Sequence, residues 1–194
     1  MPVKNVDTIE SDSITVKNIS RKLINTINIE KVFKLDPVKR ADCLYRFLKQ
    51  IIDEEKIIIS NKKIKTLLKE IYDEMFEYGP ISDLMRNDKV TEIMVNSWNE
   101  IYVEIDGLIK KVEFCFNNSQ HLRNMVEKII SPLGLRLDES SPMVDARLKD
   151  GSRINVVIPP VSIGDTILTI RKFKKNLLSI NDLISVGAIT VKIA

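Results

Sequence analysis

Cysteine and histidine are scarce in this sequence. It contains two cysteines, Cys43 and Cys115, and one histidine, His121. The cysteines are far apart, neither belongs to a C-x-x-C pair, and neither has a histidine at metal-ligand spacing. These absences argue against a disulfide framework and against a zinc site. We therefore expect two buried, reduced thiols and no bound metal.

Long apolar runs and an excess of one sign of charge are also missing. No apolar stretch approaches the ~20 residues that a membrane-spanning helix needs, and the polar N-terminus has no signal-peptide core. The formal net charge is +3, too slight to indicate a nucleic-acid or membrane-surface partner. With 194 residues and 44% apolar content, the chain is typical of a soluble protein with one domain or two small ones, and a cytoplasmic location is expected.

The sequence lacks the motifs of a self-contained enzyme. None of its six glycines is followed by lysine, so the G-x-x-x-x-G-K-[ST] loop that holds nucleotide phosphates is absent. His121 begins a predicted helix and has no serine or cysteine nucleophile placed near it. Asp138, Glu139 and Asp145 are candidate carboxylate pairs for acid–base chemistry, but their spacing fixes no common geometry.

Helical periodicity dominates the first part of the chain. Residues 1–18 show no strong period and predict a flexible arm, whereas residues 19–78 predict a helical bundle. Asp36-Pro37 is a typical helix start, and Ser60 or Asn61 can cap the next helix. Each helix has one apolar stripe, and packing the stripes against each other is the simplest way to bury them.

Residues 79–173 show the apolar–polar alternation that predicts strands. One strand covers residues 90–95, and Asp106-Gly107 predicts a two-residue turn between two further strands. The second strand of this hairpin is predicted to continue through Val112, Phe114 and Phe116. A helix capped by Asn118 or Ser119 follows. The predicted class is α+β: a helical bundle followed by an α/β domain with an antiparallel sheet.

Residues 141–173 contain the candidate site. Apolar residues alternate through three predicted strands, so the other face of these strands collects polar side chains. That face holds three arginines, Arg147, Arg153 and Arg171, together with Asn155 and Thr169. Arginines on an outer sheet face are often only solvated. Guanidinium groups also bind phosphate oxygens through paired hydrogen bonds, so three of them on one face make a candidate phosphate site.

The register of these strands follows from matching their apolar faces. A two-residue turn at Asp150-Gly151 would place Leu148 opposite Arg153, so a three-residue loop, Asp150-Gly151-Ser152, is predicted instead. This loop pairs Leu148 with Ile154 and sets Arg147 across from Asn155. Gly151 is expected to have a positive φ.

Five segments, in order, carry a resemblance to a known family: GPISDLM, VTEIMVN, IYVEIDG, DESSPMVDARLKDGSRINVVIPP and LTIRKF. They closely resemble the N-terminal part of CpaF-type ATPases of the type II/type IV secretion superfamily, the branch that serves tight-adherence (Flp-type) pili. The resemblance covers residues 71 to about 186. It implies a PAS-like fold for residues 79–173, and a linker with the start of a RecA-like domain for residues 174–194.

The resemblance also implies a role for the arginines. Members of this family are hexameric ATPases in which ATP, with Mg, binds between the N-terminal domain and a RecA-like domain that carries the Walker motifs. The arginines of GSRIN and TIRKF correspond to Arg153 and Arg171, the arginine fingers that approach the phosphates, and Arg147 of DARL is a weaker nucleotide-binding candidate. Because this chain stops where the RecA-like domain begins, it resembles an excised N-terminal part without ATPase activity of its own.

The function expected from this resemblance is that of the regulatory, nucleotide-clamping part of an ATPase that powers pilus assembly or secretion. Its expected partners are its own RecA-like domain, neighbouring subunits of a hexamer and inner-membrane platform proteins, so the assembly would lie at the inner face of the cell membrane. Two alternatives stay open. One is an assembly scaffold whose arginines pair with a neighbouring subunit's acids. The other is a nucleic-acid-binding module, which the lack of aromatic residues on the arginine face disfavours.

Overall fold

A computed structural model of the protein describes residues 19, 22–23, 27, 29–173, 180, 184 and 187. The predicted arm over residues 1–18 lies outside the described residues, as do most of residues 174–194, predicted to be a linker and the start of a further domain. The chain divides into two compact units, Met1–Ser82 and Asp83–Ala194. None of the helices in the described part is both long and apolar enough to cross a bilayer.

The described residues form five α-helices and six strands, which confirms the α+β class. The helices are α1 (Ile29–Phe33), α2 (Pro37–Glu54), α3 (Asn61–Phe76), α4 (Ser82–Arg86) and α5 (Ser119–Ile130), with short 3₁₀ turns at Gly79–Ile81 and Ser131–Leu133. The strands are β1 (Val90–Ser97), β2 (Glu100–Ile105), β3 (Leu108–Lys111), β4 (Met143–Arg147), β5 (Arg153–Val157) and β6 (Ile167–Arg171).

The helices of the first unit begin where the sequence predicts. Asp36 caps α2 by accepting a hydrogen bond from the Lys39 backbone N–H at 3.0 Å, and this bond lowers the pKa of the Asp36 carboxyl from its ordinary value. Ser60, rather than Asn61, caps α3 through the Lys63 N–H. The stripes of the two helices are buried in one apolar cluster, whose members include Leu44, Leu48, Ile51, Ile64, Leu67 and Ile71.

The second unit is built on one antiparallel sheet with the strand order β3-β2-β1-β6-β5-β4. One face is buried along all four central strands, with Ile93, Val95, Ile101, Val103, Ile154, Val156, Leu168 and Ile170. The apolar stripe of α5 is buried as well. Asn118 caps α5 by accepting from the His121 N–H at 2.8 Å, so the predicted helix start is confirmed.

The first hairpin confirms its predicted turn and corrects its predicted length. Asp106 and Gly107 both have a positive φ, as a two-residue turn of this kind requires. β3, however, ends at Lys111 instead of continuing to Phe116. The Phe116 N–H donates to the Trp98 carbonyl at 2.8 Å, and its ring is fully buried. The backbone of Phe116 is therefore bonded to the β1–β2 turn and not to a strand ladder.

Candidate anion site

The hairpin of β4 and β5 has a three-residue loop, but it lies one residue earlier than predicted. The loop consists of residues 149–151, because the Leu148 N–H donates to the Ser152 carbonyl at 2.8 Å and the Gly151 N–H donates to the Leu148 carbonyl at 3.0 Å. The positive φ predicted for Gly151 is confirmed at 89°. The predicted pairing of Leu148 with Ile154 is wrong: Ala146 pairs with Ile154.

This register brings the three arginines into one row across the sheet. Arg147 of β4 pairs with Arg153 of β5, and Arg153 pairs with Arg171 of β6. Arg147 was predicted to lie across from Asn155, which instead pairs with Asp145 on one side and Thr169 on the other. Directly paired residues on neighbouring strands point to the same face. The arginines are thus closer together than the sequence indicates.

Beyond β6, the side chains that continue the arginine row onto β1 and β2 are negatively charged. Arg171 pairs with Glu92 of β1, and Glu92 pairs with Glu104 of β2. The Glu104 carboxylate accepts a hydrogen bond from the Thr91 hydroxyl at 3.0 Å. Positive charge is therefore concentrated on the three strands β4, β5 and β6, and the face as a whole is divided into a basic and an acidic part.

The guanidinium groups of Arg147, Arg153 and Arg171 are exposed, and within the described part of the chain they form no side-chain hydrogen bond or ion pair. They line a cavity of about 190 Å³ together with Gly151, Lys172 and Phe173. The Lys172 ammonium donates to the carbonyl oxygens of Leu84 and Asn87 at 3.1 and 2.6 Å. Lys172 adds positive charge to the cavity, but its ammonium already donates to two carbonyl oxygens, so the arginines supply the hydrogen-bond donors for a ligand.

Phe173 corrects the expectation that the arginine face lacks aromatic residues. Phe173 is 57% exposed and forms part of the cavity wall. A single ring differs from the series of stacking platforms that single-stranded nucleic-acid sites present. Phe173 offers one aromatic surface on which a base could stack, but it does not form the extended groove that a nucleic-acid-binding module needs.

The candidate carboxylates do not form an acid–base pair. The Asp138 carboxylate accepts from the Ser140 hydroxyl and from the Ser140 and Ser141 N–H groups. The bond from the Ser140 hydroxyl is the main cause that lowers the pKa of Asp138 from its ordinary value. Asp138 thus stabilises a turn. Asp145 lies on the exposed sheet face opposite Asn155, and Glu139 is exposed within the Asp138 turn.

His121 and the cysteines have structural surroundings. The His121 Nδ1 accepts from the Asn117 N–H at 3.1 Å, and its ring packs edge-on against Phe116. Both thiols are free, but the expectation of two buried thiols is wrong, because Cys43 is partly buried and Cys115 is exposed in the segment after β3. In the ranges that the structure describes, no group of three or more histidine, cysteine or acidic side chains is placed to hold a metal ion.

Asp165 is the residue that the sequence analysis missed. Its Oδ2 accepts from the Trp98 N–H at 2.9 Å and from the Ser119 hydroxyl at 3.2 Å, and its Oδ1 accepts from the Thr166 N–H at 2.7 Å. One carboxylate thus joins the β1–β2 turn, the start of α5 and the start of β6. The only local signal is an aspartate after Gly164, which is typical of a turn.

Comparison with known proteins assigns the family. The model of the type II/IV secretion system protein family matches residues 74–192, more than half of the chain. The chain belongs to this family. The resemblance seen in the sequence is therefore confirmed at the level of type II/IV secretion ATPases.

Several relatives match this secretion-family chain over part of its length. An uncharacterized protein of Methanocaldococcus jannaschii is 33% identical over 135 residues, which are 68% of this chain and 18% of that protein. A putative conjugal transfer protein of Mycobacterium tuberculosis is 22% identical over 68% of this chain and 39% of its own length. The type IV secretion system protein VirB11 of Bartonella henselae is 29% identical over 58% of this chain and 32% of its own length. The chain thus spans well under half of each relative.

A solved structure shares the fold of the secretion-family chain. The crystal structure of the VirB11 ATPase from the Brucella suis type IV secretion system, in complex with sulphate, matches with a TM-score of 0.51 at 24% identity. The match covers 57% of this chain and 34% of the VirB11 chain. At this identity the likeness concerns the fold alone.

Proposed function

We propose that this chain is the N-terminal, nucleotide-clamping part of a secretion ATPase, and that its arginine row binds the phosphates of a nucleotide carried by another domain. The observation that carries the proposal is the direct pairing of Arg147 with Arg153 and of Arg153 with Arg171. Family membership supports the secretion role, and the longer relatives leave room for a motor domain.

The energetics of the row favour an anion as its natural ligand. Neighbouring strands lie about 4.8 Å apart, so the backbone positions from Arg147 to Arg171 extend over about 10 Å. Like charges directly opposite on neighbouring strands repel each other and destabilise the sheet. An elongated polyanion such as a triphosphate relieves this repulsion and accepts paired hydrogen bonds from each guanidinium. Functional sites are where a stable fold keeps such locally unfavourable arrangements.

The arginines differ in what each is expected to do. Arg153 and Arg171 lie in central strands and in the two motifs that resemble the family, so they are the proposed arginine fingers, acting together with a RecA-like domain. Arg147 lies on the edge strand β4 and adds binding energy rather than catalysis. ATP and Mg belong to the complete enzyme. The chain described here supplies the guanidinium groups.

The proposal extends to the assembly. Residues 19–78 form a bundle that docks or stabilises the ring, and residues 79–173 form the PAS-like domain that contacts the nucleotide. The partners are the chain's own RecA-like domain, neighbouring subunits of a hexamer and inner-membrane platform proteins, which place the machine in the cytoplasm at the inner face of the membrane. The ordered motifs support a CpaF-type, Flp pilus branch. Nucleic acid has no part in this function.

Titration of the 194-residue protein with inorganic triphosphate tests the proposal. We expect binding at low salt that weakens as salt is added, and a loss of about tenfold or more in affinity for Arg153→Ala and for Arg171→Ala, because each removes charge-assisted hydrogen bonds. Arg136→Ala, which removes the same charge from an exposed residue outside the sheet, leaves the affinity unchanged.

Two results would contradict the proposal. Equal triphosphate affinity in the wild-type chain and in both row variants would favour the scaffold, in which the arginines pair with acids of a neighbouring subunit. Tighter binding of a single-stranded oligonucleotide than of triphosphate, lost in the same variants, would favour the nucleic-acid-binding module.

A further inference from the structure

Phe173, two residues after the end of β6, contacts Gly151 and Ser152 between β4 and β5. The Phe173 N–H donates to the Ser152 hydroxyl at 3.1 Å, across 21 residues of sequence. The Phe173 side chain lies against Gly151, where an added Cβ would be 3.2 Å from the ring Cγ and 3.4 Å from the Phe173 Cβ. We call these three residues, Gly151, Ser152 and Phe173, the latch.

The Ser152 side chain is held in place by contacts other than the one with Phe173. The Asp150 carboxylate accepts from the Ser152 N–H at 3.0 Å and from its hydroxyl at 2.9 Å. Because the hydroxyl hydrogen is used in that bond, the hydroxyl oxygen is left as the acceptor for Phe173. Ser152 is only 1% exposed, so its orientation is also fixed by packing.

The other side of the same strand end is held independently. The Lys172 N–H donates to the Thr91 carbonyl at 2.9 Å, and its ammonium bonds to the carbonyls of Leu84 and Asn87 at the end of α4. The backbone immediately after Arg171 is therefore bonded to β1 on one side and to the latch on the other. Two consecutive residues define where Arg171 can lie.

We propose that the latch positions Arg171 beside Arg153, and that an anion in the arginine cavity and the closed latch stabilise each other. The geometry carries the argument, because the latch and the arginine row share the cavity that Gly151, Phe173 and the arginines line. Ser152 precedes Arg153 in the chain, and Phe173 lies two residues after Arg171. A ligand that draws the guanidinium groups of Arg153 and Arg171 together therefore also draws Ser152 and Phe173 together.

This inference rests on the proposed anion site and adds a consequence of thermodynamic linkage. If the closed latch favours the ligand, the ligand must favour the closed latch by the same factor. Ligand binding is thereby coupled to the point where the chain leaves β6. Gly151 and Ser152 are positioning residues, since their contacts act on Phe173 and the cavity wall.

The test measures amide hydrogen exchange and triphosphate affinity in the 194-residue protein. Ser152→Ala removes the acceptor of the Phe173 N–H, so we expect exchange of the Phe173 amide to accelerate at least about fivefold and triphosphate affinity to fall about two- to tenfold, the range for one lost hydrogen bond. Saturating triphosphate slows exchange of the Phe173 amide in the wild-type chain. Ser140→Ala is the matched control, because Ser140 bonds to Asp138 in the same i, i+2 arrangement but away from the latch.

A second pair of variants separates the ring contact from backbone strain. Gly151→Ala adds a Cβ against Phe173, whereas Gly107→Ala adds one in a hairpin turn of similarly positive φ with nothing within 4 Å. Both variants incur the strain of a positive φ. A loss of triphosphate affinity in Gly151→Ala but not in Gly107→Ala would therefore come from the contact with Phe173. Where Gly151→Ala fails to fold, the two serine variants decide alone.

The outcomes distinguish the latch from the anion site. Triphosphate binding that is lost in Arg153→Ala but unchanged in Ser152→Ala, with unaltered exchange of the Phe173 amide, overturns the latch and leaves the anion site intact. Triphosphate binding that no arginine variant weakens overturns the anion site and the coupling with it. Faster Phe173 exchange in Ser152→Ala with unchanged affinity also overturns the coupling.

Discussion

If this chain is part of a secretion ATPase, as we propose, replacing Arg153 or Arg171 by alanine in that ATPase is expected to lower its rate of ATP hydrolysis about a thousandfold. An arginine that meets developing charge on a transferring phosphoryl group is worth about 10³–10⁵ in rate in well-studied enzymes. We expect the substitution to keep the fold, because both arginines are exposed. The measurement is steady-state turnover at saturating ATP and Mg.

Two further substitutions in the arginine row, Arg153→Lys and Arg147→Ala, serve as controls for this experiment. Arg153→Lys keeps the charge but loses the paired hydrogen bonds, so its turnover is expected between those of the wild type and the alanine variant. Arg147→Ala on the edge strand lowers affinity for nucleotide more than turnover. Unchanged turnover in both Arg153→Ala and Arg171→Ala would exclude the arginine-finger role.

Asp165→Ala is expected to destabilise the fold by about 2–4 kcal/mol, the largest effect on stability that we predict. The substitution leaves the N–H groups of half-buried Trp98 and buried Thr166 without their acceptor, and a donor orphaned away from water costs about 1–3 kcal/mol. Thr166 is 4% exposed, so water cannot replace the carboxylate there. Urea unfolding followed by circular dichroism measures the loss.

Asp138→Ala is the matched control for Asp165→Ala. Asp138 also accepts three hydrogen bonds, but all of them come from its own exposed turn, where water takes the place of the carboxylate. We expect a much smaller shift of the unfolding midpoint for this variant. Equal midpoints for Asp165→Ala and Asp138→Ala would show that Asp165 does not join the turn, the helix and the strand in the way its contacts indicate.

The features predicted correctly from sequence are those that depend on neighbours along the chain. Asp36, Ser60 and Asn118 cap their helices by accepting hydrogen bonds from N–H groups only three residues further along the chain, so the sequence pattern alone indicates them. The turn at Asp106-Gly107 is equally local. These local patterns are enough to predict the α+β class.

The arginine row was only partly predictable. Strand alternation places Arg147, Arg153 and Arg171 on one face, and that part is independent of register, because shifting the loop from residues 150–152 to 149–151 changes the pairing by two residues and keeps every side chain on its face. The direct pairing of Arg147 with Arg153 depends on the exact loop. Only the hydrogen bonds of Leu148 fix that loop.

Contacts between distant segments were not predictable at all. The bond from the Trp98 N–H to Asp165 joins residues 67 apart, and the bond from the Phe173 N–H to Ser152 joins residues 21 apart. Periodicity reports which face a side chain occupies, not which distant backbone group it meets. The early end of β3 has the same origin, since the Phe116 N–H bonds to Trp98 instead of to a neighbouring strand.

The central claim is that the arginine row contacts the phosphates of a bound nucleotide. A structure of the proposed secretion ATPase, with a RecA-like domain, a non-hydrolysable triphosphate and Mg, tests it most directly. We predict guanidinium nitrogens of Arg153 and Arg171 within about 3 Å of phosphate oxygens, the distance of a charge-assisted hydrogen bond. Guanidinium groups more than ~6 Å from every phosphate oxygen in all subunits, beyond the reach of such a bond, would contradict the claim.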